Sequence, residues 1–364
     1  MNILHLLVGG TIGGIEILCK DYAQKSRHKN IFAFFWAGGP ILQEIMELGV
    51  ETIEINEKKQ ALLETCRKLL RVCEENKVEV AIVHHASPLL HFYLIFLKKY
   101  ARIKTIAYAH GNARTMCREN EKFGLIIRKC MLKFSLKKAD FIVAISDSVK
   151  KSLIEYMGTD SDKINVIYNG VDINRFCCNQ KRNGFDIKEI IYVGRLVEGK
   201  GVQVTLRALA ILKDKISYRF RIVGDGPYRE KIEGLIDELH LKDRVELLGN
   251  RRDIPQLLET ADIFIHMPFE EGFGITIIEA MASGLICICA DVGAMSEIID
   301  NGVNGFIVDN NENTLAQALL KVNSMTNRQM EMISEAAIHK ANTFSIFTFV
   351  NILDSTIESL YASD

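Results

Sequence analysis

The chain is short of the residues that would make it fibrous, disordered, disulfide-stapled or membrane-spanning. Five prolines and 25 glycines in 364 residues exclude collagen-like and low-complexity organisation. Nine cysteines are scattered without a C-x-x-C pair; the closest spacings are Cys177-Cys178 and Cys287-x-Cys289. That usage fits neither a zinc site nor a disulfide framework and implies a reducing, cytoplasmic setting. No apolar run approaches the roughly 18 residues of a membrane span. The opening MNILHLLVGGTIGG has none of the basic residues that begin a secretory leader. Positive charge is not in excess either: 45 Lys and Arg stand against 46 Asp and Glu, which excludes a generally basic nucleic-acid binder.

What is present is an ordinary globular composition, 48% apolar and 25% charged, in a chain too long for one compact core. Short apolar runs at 3–8, 31–36, 80–83, 105–108 and 141–145 read as strands. Between them lie segments of helical period at 15–26, 61–75 and 89–100. Such alternation predicts a parallel sheet with helices on both faces. After the polar stretch 174–184, the best linker candidate, the pattern restarts. Strands are expected at 189–193, 218–223, 245–248, 263–267, 286–290 and 305–308. The expectation is two doubly wound α/β domains, 1–173 and 174–344, each binding ligands at the carboxyl ends of its strands and facing the other across a cleft.

Several loops could carry chemistry. Gly9, Gly10, Gly13 and Gly14 lie between a predicted strand and a helix, which suits an anion at a helix start. They do not form G-x-G-x-x-G, and Gly224-x-Gly226 is followed by Arg229 where a third glycine belongs, so a dehydrogenase is poorly supported. In GRLVEGKG, Gly194 to Gly201, Arg195 and Lys200 stand past a strand and before a helix, a compact arrangement for a diphosphate. In EEGFGITIIEAMASG, Glu271 and Glu279 flank a glycine turn and a short helix. The backbone of Phe273, Gly274 and Ile275 could hold a phosphate, and Glu279 could accept from ribose hydroxyls. Taken singly, each glycine loop is more often a tight turn than a ligand cradle, and the charged residues of the other loops have an alternative as solvated charge or helix-dipole partners.

Taken together they carry a resemblance. GGIE ending at Glu16, AISDSVKKSL (144–153), VIYNGVD (166–172), GRLVEGKG, VGDGP (223–227) and EEGFG…EAMASG occur in the order and spacing of a family 4 glycosyltransferase. The chain is thus similar to a retaining, nucleotide-sugar-dependent transferase of the GT-B fold, over nearly its whole length. The resemblance implies a C-terminal helix, 345–364, crossing back onto the first domain. Arg195 and Lys200 would neutralise the leaving nucleotide diphosphate. Glu271 with the backbone of Phe273, Gly274 and Ile275 would bind the transferred sugar and distal phosphate. Glu279 would take the ribose, the main chain near Arg251 the base, and Gly13 and Gly14 would approach the phosphates from the first domain. His110, in YAHGN, would stand beside the sugar's anomeric region; the role of His84-His85 stays open. No cofactor is implied, since the nucleotide sugar, a UDP-sugar by family frequency, is a substrate. No metal is implied, since no D-x-D stands at a strand end. Two rival readings are a nucleotide-sugar 2-epimerase of the same architecture and a non-catalytic sugar-nucleotide-binding subunit of a heteromeric transferase.

Charge is unevenly placed. Residues 1–180 hold 26 basic and 19 acidic side chains, and 104–138 alone hold 9 and 2. In KFGLIIRKCMLKFSLKK, 122–138, helical spacing puts Lys129, Lys133 and Lys137 on one face. It puts Phe123, Ile126 or Ile127, Cys130 and Phe134 on an apolar one. The expectation is an anionic membrane surface as a partner, with a saccharide or polyprenyl-diphosphate-linked acceptor. The alternative is a core-packing helix with a solvated lysine edge.

Overall fold

A computed structural model describes residues 1–11, 13–36, 38–55, 62–117, 122–176 and 188–362. The chain divides into two compact units, Met1–Gly170 with Ile346–Asp364, and Val171–Ser345. The divisions fall at 170 and 345, a few residues from the expected 173 and 344. The Val171 N–H donates to the Phe344 carbonyl at 2.9 Å, which ties both chain crossings into the second unit. The linker candidate 174–184 lies for the most part outside the described residues, as do Cys177 and Cys178.

The first unit has seven parallel strands: β1 Asn2–Gly9, β2 Lys29–Trp36, β3 Glu51–Glu54, β4 Val80–Val83, β5 Lys104–Ala109, β6 Phe141–Ala144 and β7 Ile164–Val166. Their order is β3-β2-β1-β4-β5-β6-β7. The second has six: β8 Glu189–Val193, β9 Arg219–Val223, β10 Val245–Gly249, β11 Ile263–His266, β12 Ile286–Ala290 and β13 Phe306–Val308. These run β10-β9-β8-β11-β12-β13, again all parallel. Both sheets therefore reverse direction of growth between their first and fourth strands, at β1/β4 and β8/β11, where doubly wound sheets open a crevice. Central strands read as unbroken apolar runs because helices cover both faces; Leu4, Leu6, Phe32, Phe34, Ile263, Ile265 and Ile288 are fully buried.

The helix Ile346–Ala362 belongs to the first unit. Its Asp354 is buried and accepts from Tyr22 Oη at 2.6 Å, Ser26 Oγ at 2.9 Å and the Arg27 N–H at 3.2 Å. Phe349 meets the Tyr22 ring edge-on at 6.0 Å. Among the described residues no helix is long and apolar enough to cross a membrane.

The basic segment is the helix Lys122–Lys138, but its buried side is Leu132, Ser135 and Leu136. The apolar stripe seen in the sequence is the outer one: Ile126 is 63% and Phe134 56% exposed, and Cys130 is exposed. The side chains of Phe123 and Ile127 lie outside the described residues. The helix is thus core-packing with a solvated lysine edge, as the alternative has it, but it packs through Leu132, Ser135 and Leu136 on the opposite face and not through the stripe picked out in the sequence. Lys133 and Lys137 are exposed, whereas the Lys129 ammonium sits 3.6 Å from the centre of the Tyr156 ring.

Candidate active site

In the second unit every candidate residue lies on a loop or helix that follows the carboxyl end of a strand. GRLVEGKG follows β8, VGDGP closes β9, Arg251 follows β10, and Glu271 follows β11. The first two loops are stitched together: Gly194 N–H donates to Val223 O at 2.9 Å, Leu196 N–H to Asp225 O at 2.9 Å, and Tyr228 N–H to Leu196 O at 3.0 Å.

Lys200 ends a short 3₁₀ turn, Glu198–Lys200, closed by Gly201 in the left-handed region at φ +71°. Glycine is required there twice over, since a Cβ would also overlap the Met267 carbonyl. This close approach, with Phe269 N–H donating to Gly199 O at 2.9 Å, presses the lysine loop onto the segment leaving β11. The outcome is a three-membered cluster. Lys200 Nζ lies 2.7 Å from Glu271 Oε2, and His266 Nε2 lies 2.9 Å from the same oxygen. Glu271 Oε1 accepts from the Gly272 N–H at 3.0 Å. Burial alone would raise the Glu271 carboxyl; the His266 hydrogen bond and the Lys200 ammonium outweigh it and hold the group down at about 2. A carboxylate accepts only, so His266 Nε2 carries the proton. Its Nδ1 is buried without a partner among the described residues.

Phe273 turns its ring inward against Phe344, 5.7 Å away and nearly perpendicular, leaving backbone as its polar offering. Gly274 takes φ +98° and opens the helix Ile275–Ala282 with no side-chain cap. Its N-cap residue therefore offers no side chain to the first N–H groups of the helix. Glu279 stands one turn in, half-buried, and Arg195 is exposed at the end of β8. The exposed Arg251 guanidinium is forked on Asp253, with Nε 2.7 Å from Oδ1.

The first unit places Gly13 as N-cap of the helix Gly14–Lys25. A Cβ on Gly13 would overlap the Glu16 carboxylate, whose Oε1 lies 3.2 Å from His85 Nε2. An acidic group thus already faces that helix start. His110 follows β5, stacked on Tyr108 at 4.3 Å, with its Nε2 3.2 Å from His84 Nδ1. Sequence reasoning missed His266. The signal available was a histidine closing the otherwise apolar run IFIH five residues before Glu271.

Comparison with known proteins agrees with this layout. Residues 179–339 match the model for glycosyl transferases group 1, and residues 12–175 match that for glycosyltransferase family 4. The N-acetyl-α-D-glucosaminyl L-malate synthase of Bacillus anthracis is 28% identical over 257 residues, 68% of this chain and 65% of that protein. An uncharacterized glycosyltransferase of Methanocaldococcus jannaschii is 26% identical over 310 residues, 81% of this chain and 78% of that one. The chain thus spans just under two thirds of the first relative's length. The crystal structure of Anabaena Alr3699/HepE in complex with UDP superimposes with a TM-score of 0.86 at 23% identity, covering 99% of this chain and all of that one. Two parallel doubly wound units, the motifs at the carboxyl ends of their strands and the two adjoining family matches together make this chain a member of the family 4, group 1 glycosyltransferases, of the GT-B fold.

Proposed function

We propose that the chain transfers a hexosyl unit, with retention of anomeric configuration, from a nucleotide sugar to a saccharide or polyprenyl-diphosphate-linked acceptor in bacterial surface-glycan synthesis. The observation that carries this reading is the Lys200–Glu271–His266 cluster followed by a helix whose N-cap is Gly274. A diphosphate arriving there takes over the Lys200 ammonium from Glu271, and Arg195 and the N–H groups of the helix start complete its charge neutralisation. Glu271 is thereby released to accept from sugar hydroxyls while His266 keeps it oriented. Glu279 receives the ribose. In this account Glu271 is engaged by His266 and by the sugar hydroxyls, so it is not assigned as a covalent nucleophile. Same-face attack follows: the acceptor oxygen bonds to the anomeric carbon as the bond to the phosphate oxygen breaks, and that phosphate oxygen takes the acceptor's proton. A uridine nucleotide is favoured, since the Anabaena protein of the same fold was crystallised with UDP.

The test uses UDP-, GDP- and ADP-sugars in turn. One class is expected to raise the thermal midpoint and, with acceptor, to yield a product whose new linkage keeps the donor's configuration by NMR. An epimerised nucleotide sugar formed without acceptor, or binding without turnover, would replace this reading.

The acceptor side includes a membrane surface. Ile126, Cys130 and Phe134 form an exposed apolar stripe alongside Lys133 and Lys137. Next to it opens a groove of about 430 Å³ lined by Leu63, Phe92, Phe96, Tyr100, Met131 and Phe134. Apolar side chains bordered by lysines suit an anionic bilayer. Changing Lys129, Lys133 and Lys137 together to Glu is expected to abolish co-sedimentation with phosphatidylglycerol vesicles at low salt. Undiminished binding would remove the membrane from this account.

A further inference from the structure

Four adjacent strands of the first sheet, β2-β1-β4-β5, carry a row of side chains that the site description leaves unexplained. Asn30 lies in β2, His5 in β1, His84 just past β4 and His110 just past β5. Asn30 Oδ1 is 2.9 Å from His5 Nε2, His5 Nδ1 is 2.9 Å from His84 Nε2, and His84 Nδ1 is 3.2 Å from His110 Nε2. Asn30, His5 and His84 are buried, and His110 is half-buried.

The direction of every bond in this row follows from one end. Asn30 Nδ2 donates to the His28 carbonyl at 3.0 Å, so its Oδ1 faces His5 and can only accept. His5 must then carry its proton on Nε2. A neutral imidazole has one N–H and one lone pair, so His5 Nδ1 accepts from His84 Nε2–H, and His84 Nδ1 accepts from His110 Nε2–H. What remains is a bare lone pair on His110 Nδ1. Neutrality of the row follows from burial, which lowers His5 to about 4 and His110 to about 3 and pushes His84 well down, with repulsion from its neighbours adding to the last. Tyr22 stands edge-on to His5, while Asp354, bonded to the Tyr22 hydroxyl, acts on His5 at longer range. Phe32 stacks on His5, and Tyr108 on both His84 and His110. His85, paired with Glu16, adds repulsion to His84 and His110. Among the described residues no carboxylate is bonded to the three rings. The row also ends in an amide that takes up no proton, so it fixes tautomers and leads no proton away.

We infer that Asn30, His5 and His84 are positioning residues that hold His110 as its Nε2–H tautomer, so that Nδ1 accepts a hydrogen bond from a hydroxyl of the bound sugar. This rests on the transferase reading given under Proposed function and on the place beside the sugar that the family resemblance implies for His110. Its consequence is a preference for donors that carry that hydroxyl over deoxy analogues, which leave the lone pair unmatched.

The tautomer is read without any activity measurement, from long-range proton–nitrogen NMR of the full chain labelled with ¹⁵N-histidine. The expected wild-type spectrum near pH 7 shows His110 protonated on Nε2 alone; protonation on Nδ1 would overturn the proposal. Asn30→Asp supplies the sharper outcome. A buried carboxylate there draws a second proton onto His5, whose Nδ1–H then donates to His84, and each ring along the row is reversed. His110 is then expected to carry its proton on Nδ1, with kcat/KM down about tenfold at pH 7, the scale of one hydrogen bond. As pH rises and His5 gives up the extra proton, the original direction and the activity return, an ascending limb that the wild type does not show. Asn30→Leu, of similar volume, removes the terminal acceptor and is expected to leave His110 in mixed tautomers with an unchanged circular dichroism spectrum. Reversed tautomers with unaltered kcat/KM would overturn the positioning role. A wild type with the stated tautomer and no turnover of any nucleotide sugar would overturn the transferase reading, and the positioning role with it, while leaving the tautomer row standing.

Discussion

Replacing Lys200 by alanine is expected to lower nucleotide-sugar turnover by about 10²-fold or more, the scale on which a preorganised charge acts at a departing anion. The structure explains why so much would rest on one ammonium. Gly201 and the Gly199 carbonyl hold the backbone of the lysine loop against the segment leaving β11, which brings Nζ within 2.7 Å of the Glu271 carboxylate. The loss should fall mainly on kcat, since the charge to be neutralised grows as the sugar–phosphate bond breaks. The same variant has a signature in stability. Glu271 is held at about 2, below the ordinary 4.5, so it stabilises the fold above pH 4.5 and that contribution disappears as pH falls from 4.5 towards 2. Without Lys200 the carboxyl moves back up. Wild type and variant should therefore differ in urea midpoint above pH 5 and converge as the pH approaches 2. Near wild-type turnover in Lys200→Ala would remove the lysine from the chemistry.

Asp354→Ala should cost the first unit about 3 kcal/mol, because it strips a buried carboxylate from three donors and takes the acceptor from the buried Tyr22 hydroxyl. The single tryptophan, Trp36, ends β2 and lies in that unit. Its fluorescence thus reports the first unit alone. The expected reading is a fall of roughly 1–2 M in the urea midpoint of the Trp36 transition. An unmoved midpoint would show that the carboxylate contributes nothing to that unit.

How much of this was legible in the sequence depends on what each element has to bury. Central strands, apolar on both faces, could be read directly: β1, β4, β6, β8, β11 and β12 fall within a residue or two of where the runs predict them. Two edge strands were not read. β3 is Glu-Thr-Ile-Glu and β7 only Ile-Asn-Val, since an edge covered on one side alone needs no unbroken apolar run. The helices Pro40–Glu47, Glu312–Asn323 and Asn327–Asn342 were passed over for a related reason: their buried positions are interspersed with polar ones. Loop motifs singled out Arg195, Lys200, Glu271 and Glu279 by residue type at fixed spacing, and of these the fold brings Lys200 and Glu271 into contact. His266 did not announce itself, being one polar letter at the end of an apolar strand. Nor could the row from Asn30 to His110 be seen, because strand order, not sequence distance, makes those residues neighbours. Phe134 shows the converse failure. Helical period grouped it with an apolar stripe, but only the packing of Leu132 and Leu136 decides that the stripe faces outward.

Tyr22 and Asp354 are 332 residues apart. A ribosome adding about 5–20 residues each second needs on the order of half a minute to travel from one to the other. During that interval β8 to β13 are already available to pair, while the amino-terminal sheet still lacks the helix that covers Tyr22. The unit begun before the other is therefore completed after it. Deletions within the helix Ile346–Ala362 should injure the first unit sooner than the second.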